Sequence, residues 1–379
     1  MPTARKTSAG TPRAADEARY RPLCHVRPTL AAPLPPEVAA DRAAAIAAVR
    51  EKWVNGTELA YYFFDQPGDG RDVRLADGSV EFVPWVGAEA QKQAVRDAFA
   101  AWKALGIGLV FSEVAAREQA TIRIGFMRGN GSWSYVGRDA LGIGANERTM
   151  NFGWDLTRPG DDTALHEIGH ALGFHHEHQN PFAGIVWNEP AVIAALAQPP
   201  NEWNEEKTRF NIIRKLPEGS VQGTAWDRDS VMHYPFEAGL ILEPAIFRTE
   251  PLRPAGGLSA RDIAYVREVY PPQPAVEQFP LLEPFVSHPM ALGAGQQLDV
   301  RIEPRRSRTY SIGTFGTSDA VIVLFEDVAG ELKYRGGDDD SGEDRNALLR
   351  LRLNRGAKYV LRVRLYHADM PGETAVMVW

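Results

Sequence analysis

The stretch DDTALHEIGHALGFHHEH (161–178) decides how this chain is read, and its centre is HEIGHALGFHH (166–176). An acidic start, apolar positions on one side and a glycine at 173 predict a helix over 161–173. His166 and His170 stand four residues apart, so both imidazoles project from one helical face and can reach a single metal ion. Glu167, one residue after the first histidine, is angled to reach a metal-bound water without ligating the metal. A glycine can take the left-handed conformation that ends a helix, so Gly173 can turn the chain back and deliver His176 as a third ligand. The whole string reads H-E-x-x-H-x-x-G-x-x-H, far more specific than H-E-x-x-H alone. Zinc suits three imidazoles and one open position, with no thiolate cluster or carboxylate cage competing. His175 and His178 have no slot in that geometry and are read as supporting or surface residues.

Around this centre the composition is that of an ordinary soluble protein. The chain has 379 residues, 44% apolar and 24% charged, enough for two or three domains. Lys+Arg 42 against Asp+Glu 49 gives a net charge of -7, which argues against a nucleic-acid binder held by phosphate neutralisation. One cysteine, Cys24, excludes an intrachain disulfide framework. The basic amino terminus has no apolar stretch behind it, and no 18-residue apolar run occurs, so neither a secretory signal nor a membrane span is predicted.

Residues 1–50 are Ala-, Pro- and Arg-rich and read as an arm or pro-segment, with a short helix at 42–53. Strands are predicted at 58–65, 109–114, 121–127 and 149–154, and a helix at 88–104. Ser259 followed by Asp262 predicts a capped helix that Pro271-Pro272 ends. PPQPAVEQFP (271–280) reads as linker, and short apolar runs broken by Gly, Asp and Asn turns follow it. The expected organisation is α+β: an arm (1–50), a catalytic domain with a mixed twisted sheet and an active-site helix (51–272), a linker (273–297) and a small all-β sandwich (298–379).

HEIGHALGFHHEH resembles the zinc signature of the metzincin metallopeptidases, and within them the astacin family, which also carries Phe after the glycine and Glu after the third histidine. SVMHY (230–234) is similar to the astacin Met-turn, and GSWSYVG (131–137) to the segment those enzymes carry before the substrate-binding edge strand. The resemblance covers about residues 50–272. It implies a zincin-like fold and one zinc ion on His166, His170 and His176, with Met232 as an apolar floor beneath the metal. It further implies Tyr234 as a residue that alternates between the metal and the transition-state oxyanion, and TMNFGW, with Thr149, Asn151 and Gly153, as the edge strand for an extended substrate. Glu177 would bind the amino terminus of a matured enzyme. The departures are Asn180 and Phe182, where the family has Arg and Asp, and the missing disulfides, which place the chain in a divergent, microbial branch.

The implied activity is hydrolysis of peptide bonds within protein substrates, with a zinc-activated water and Glu167 as general base. Two other classes stay open: a binding or adhesion protein with a vestigial catalytic domain, and a zinc hydrolase of non-peptide bonds. Cys24, in RPLCHVRP, can occupy the metal's fourth position and keep the enzyme latent, with His25 as a competing ligand, or be an ordinary thiol in a tail. Residues 298–379 resemble the pre-peptidase C-terminal domain of secreted microbial proteases. That implies an extracellular destination, with the cytoplasm as the alternative. Asp338, Asp339, Asp340 and Asp344 are candidate calcium ligands there.

Overall fold

The computed structural model describes residues 23–27, 51–75, 77–216, 226–272, 279–329, 331–367 and 370–379. The helix expected at 42–53 lies outside them except for 51–53, which form a turn and bend.

ELAYYF forms strand β1 (Glu58–Phe63) because a short, nearly continuous apolar run suits a strand covered on both faces. Leu59, Tyr61 and Phe63 point into the main core, and Tyr62 and Phe64 into a second cluster with Trp85 and Met127. A hairpin of β2 (Gly70–Arg74) and β3 (Val80–Pro84) follows, then helix α1 (Glu89–Ala104). Val95, Ala98, Phe99 and Trp102 on α1 are buried, with Phe99 stacked on Tyr61 at 4.3 Å. Strands β4 (Val110–Glu113), β5 (Ile122–Gly125), β6 (Trp133–Ser134) and β7 (Met150–Asn151) complete a five-stranded sheet in the order β4-β1-β5-β7-β6. The pairings are parallel except the last, β6 against β7. Residues 149–154 are therefore not the sheet edge that the sequence suggested: β7 is bonded on both sides, and the edge strand beside it is β6.

Helix α2 (Thr163–Ala171) carries the first two histidines and lies against α1, where the Trp102 indole donates to Leu165 O. The chain turns at Gly173, at a φ of 91°, with the Phe174 N–H returning to Gly169 O. A second lobe contains β8 (Val186–Trp187), α3 (Glu189–Leu196) and β9 (Ile241–Glu243), around Trp187, Trp203, Phe236 and Phe247. Helix α4 (Ala260–Val269) begins in the expected capping box of Ser259 and Asp262. It returns Tyr270 to the main core, where its hydroxyl donates to Leu172 O and accepts from Trp53 N.

The sandwich starts earlier than the sequence suggested. Leu282 already belongs to its core, and β10 (His288–Leu292), inside the span read as linker, pairs with the last strand. Its other strands are β11 (Gln297–Ile302), β12 (Arg308–Phe315), β13 (Ala320–Val328), β14 (Glu331–Asp338), β15 (Leu348–Leu353), β16 (Lys358–Leu365) and β17 (Gly372–Val378). They form two four-stranded sheets, β10-β17-β12-β15 and β11-β16-β13-β14. Alternation explains why β13 and β16 are buried on both faces. Ile322, Leu324, Leu361 and Val363 fill the space between the sheets, while Val321, Val323 and Phe325 cover Val54 of the catalytic domain. Fully buried Arg362 is bidentate to Asp299 at 2.7 and 2.8 Å and donates to Asn55 O at 2.9 Å, and Arg364 donates to Lys52 O. The two domains thus share an interface built on residues 52–55.

Candidate active site

Helix α2 and the turn at Gly173 bring His166, His170 and His176 together, with one ring nitrogen of each within 4.8 Å of the others. The Nδ1 atoms of His166 and His170 each meet a backbone carbonyl at 2.7 Å, those of Val231 and Phe174. Those bonds place the ring protons on Nδ1 and aim the Nε2 lone pairs inward. His166 Nε2 is buried without a partner, and His170 Nε2 and His176 Nε2 are 3.0 Å apart with no donor supplied by the backbone. Burial holds all three imidazoles below their ordinary range, His166 at about 4, so they are neutral at pH 7. Neutral rings with converging lone pairs are the donor set of a divalent metal, and three nitrogens with space for one further ligand fit zinc.

Glu167 lies beside this cluster, fully buried, with the Cys24 thiol against its carboxyl and no cation paired to it. Burial pushes its carboxyl up to about 8. An unpaired buried carboxylate costs several kcal/mol, which a cation at the histidines would offset. Met232 is buried, with its side chain against Gly169 of α2. The turn is braced by Asp262, which accepts from Ser230 Oγ at 2.6 Å and Val231 N at 2.8 Å. Tyr234 stacks beside His166, and its hydroxyl lies 2.5 Å from His176 Nε2.

Residues 23–27 run across this centre. The Tyr234 hydroxyl donates to Cys24 O at 2.6 Å, and Cys24 Sγ is within 4.8 Å of ligand atoms of both His166 and Glu167. Burial pushes the thiol well up, reinforced by the Glu167 charge. His25 N–H donates to Ser132 O on the β6 edge at 3.2 Å. Asn201 and Asn211 accept from Leu23 N and Val26 N at 2.7 and 2.9 Å. Neither asparagine nor Ser132 was foreseen, since single polar residues in irregular segments carry no periodic signal.

Other expectations have different outcomes. His175 pairs with Glu51 at 2.6 Å and His178 Nε2 with Asn211 O at 2.9 Å, outside the metal set. Glu177 accepts from Asn180 Nδ2 and Asp227 N. Thr149 and Asn151 are interior: Asn151 braces the 127–131 loop, and Gly153 N donates to Ser132 Oγ. The calcium expectation is not supported. Asp338 accepts from Ser341 and Leu348 N, Asp339 pairs with Arg138, and among the described residues the only ligand-like clusters are those at the histidines.

This geometry coincides with family evidence. The sequence model of the Astacin peptidase family matches residues 81–240, a span holding the three histidines, Glu167 and the Met-turn. Over residues 81–240 the chain matches the astacin family. The chain is similar to Protein SpAN of Strongylocentrotus purpuratus, 29% identical over 206 residues, or 51% of this chain and 31% of that one. Tolloid-like protein 1 of Homo sapiens is 32% identical over 149 residues, 37% of this chain and 13% of that protein. The chain thus spans less than a third of the length of these curated relatives. Among solved structures, "Structure of myroilysin" is 29% identical with a TM-score of 0.49, covering 59% of this chain and 97% of that one. Among the described residues, no helix is long and apolar enough to cross a membrane.

Proposed function

We propose that the chain is a zinc-dependent endopeptidase, made latent by residues 23–27 and acting on extended protein substrates outside the cell. The observation that carries this reading is the buried cluster of three neutral imidazoles beside the buried Glu167 carboxyl, in a span that matches the astacin family. His166, His170 and His176 would hold the ion. Bound there, zinc supplies a Lewis acid and lowers the pKa of water from about 15.7 to about 7.

The protein's own residues supply the rest. Glu167 takes a proton from the attacking water and returns it to the leaving amine, a role worth about 10²–10⁴ in rate. Tyr234 donates a hydrogen bond to the developing oxyanion, and its present acceptor, Cys24 O, stands in for the scissile carbonyl oxygen. An extended peptide would add to the β6 edge, where Ser132 O already accepts from the arm, giving affinity through main-chain bonds. Cys24 would block the centre by placing its sulfur among His166 and Glu167. The secreted destination rests on the family resemblance and on the sandwich appended to the domain.

The test is casein digestion by the full chain, by Cys24→Ala and by Cys24→Ala/Glu167→Gln, each with and without a zinc chelator. Cys24→Ala is expected to digest casein faster than the full chain, and the chelator to stop it. The double variant should retain zinc and lose activity by about 10²-fold or more. Equal activity of Cys24→Ala and the intact chain would reject latency. Full turnover without Glu167 would reject the mechanism, and zinc binding without digestion in any variant would favour a vestigial binding protein.

A further inference from the structure

Away from the histidines, on the outer side of the β6 edge, a cavity of about 220 Å³ opens between three segments distant in sequence. Arg27 comes from the arm, Arg71 from the β2–β3 hairpin and Arg148 from the residue pair that leads into β7. Two indoles carry two of these cations. The Arg27 guanidinium lies 3.6 Å from the centre of the Trp133 ring, and Arg148 lies over both Trp85 and Trp133, at 4.6 and 5.3 Å. Arg148 is 5% exposed, and its partners are uncharged: the side-chain oxygens of Asn151 and Asn130 and the sulfur of Met127.

Among the described residues no carboxylate pairs with Arg27, Arg71 or Arg148. The acid on the cavity wall, Glu147, is exposed and leaves a net excess of two positive charges. Burial and the other two arginines together push Arg148 down to about 9. Arg148 is buried without a carboxylate and is costly unless something negative enters the space, where half-buried Arg27 and exposed Arg71 converge on it. The space is smaller than the roughly 300–1,000 Å³ of pockets for drug-sized ligands. Its two indole faces are already covered by cations, which leaves an apolar occupant only Tyr135 and Ile143 as sizeable contacts. A tetrahedral oxyanion fits in size and suits the forked donors of arginine.

We propose that this cavity is a binding site for a small inorganic oxyanion, sulfate or phosphate, and that the bound anion clamps the arm onto the catalytic domain. Arg27 is three residues from Cys24 and follows His25, which is bonded to the β6 edge. An anion shared by Arg27, Arg71 and Arg148 therefore bonds the arm and the domain at once. By linkage it binds more tightly when the arm is docked, and it holds the arm docked by the same factor. The anion site stands on its own geometry; its regulatory consequence rests on the latency reading above.

The chain has a single cysteine, so the rate at which a thiol reagent modifies the full-length protein reports arm docking at one atom. The rate is measured in sulfate, phosphate and chloride at equal ionic strength, and with an acetylated, amidated aspartate as a carboxylate source. Calorimetry of sulfate binding runs in parallel. Sulfate and phosphate are expected to slow modification about tenfold relative to chloride. Arg27→Gln and Arg71→Gln, the latter at an exposed position on the hairpin, should abolish both that protection and the heat of binding. Absence of sulfate binding, or protection undiminished in both variants, would overturn the proposal. Protection by the aspartate derivative alone would also overturn it, making the cavity a pocket for an acidic side chain. If sulfate binds as expected while Cys24→Ala digests casein no faster than the intact chain, latency fails and the anion site stands.

Discussion

Replacing Gly169 with alanine tests whether the zinc helix and the Met-turn are a single packed unit. Two opposing effects can be worked from the structure. Alanine gains about 1 kcal/mol of helix propensity over glycine in a helix interior. The added Cβ, however, would stand 2.4 Å from Met232 Sδ and 3.4 Å from its Cε, with Trp102 at 3.6 Å on another side. Ordinary contact lies near 4 Å, so the sulfur must move by about 1.5 Å. Met232 is buried, and overpacking of this kind costs about 1–3 kcal/mol. With so close an approach the upper end applies, leaving a net loss of about 2 kcal/mol. At roughly 2–4 °C per kcal/mol for a domain of this size, Tm should fall by about 4–8 °C. Met232 is bonded to Val231, whose carbonyl holds His166 Nδ1, so zinc affinity should fall by about tenfold or more. The assays are thermal unfolding of the zinc-loaded protein and competition for zinc with a chromophoric chelator. Met232→Ala in the same chain should recover part of the Gly169→Ala loss, giving a double variant less destabilised than the sum of the two. Stabilisation by about 1 kcal/mol in Gly169→Ala, or strict additivity in the double variant, would refute the packing argument.

Three other perturbations separate the remaining contacts. Arg362→Leu strands Asp299 and the Asn55 carbonyl at the domain interface, so denaturant unfolding should show a loss of about 3–5 kcal/mol, with part of it recovered when Asp299→Leu is added. Asp319 is pushed up to about 7 by burial and by Asp340 and Asp339, so it favours the folded state below pH 4 relative to pH 7, and stability falls as pH rises between the two values. Asp319→Asn should therefore raise Tm at pH 8, by the equivalent of about 1 kcal/mol once partial exposure is allowed for, and leave it unchanged at pH 4. Tyr234→Phe, in the Cys24→Ala background, should lower kcat by about 10–100-fold with little change in KM; unaltered kcat would remove the tyrosine from the transition state.

The metal cluster was legible in the sequence because its determinants are local. Three histidines and one glycine within eleven residues define a helix face and its reversal without reference to the rest of the chain. Strand β1, a short aromatic-rich run, and helix α1, with apolar residues at helical spacing, were legible for the same reason. The edge strand was not. Trp133–Ser134 is two residues long, too short to alternate, and whether it or 150–151 lies outermost is settled by pairing partners distant in the chain. The domain interface was hidden by a different cause. In KYVLRVRL the arginines alternate with apolar residues and read as a solvent face. Asp299, 63 residues away, neutralises Arg362, which allows that face to be buried. The oxyanion cavity likewise joins three arginines that are ordinary when taken singly.

The bonds from Arg362 to Asn55 and from Arg364 to Lys52 span 307 and 312 residues, and they carry a consequence for biosynthesis. Residues 52–55 open the catalytic domain, yet the strand that covers them is synthesised 307–312 residues later. Synthesis at roughly 5–20 residues per second separates the two by about 15–60 s. During that interval Val54 and the backbone carbonyls of Lys52 and Asn55 lack the strand that covers them in the finished molecule. The metal helix can be complete while the entry to its domain is still open, so a chain truncated before β16 should be selectively vulnerable to proteases at residues 51–57, next to the Glu51–His175 pair.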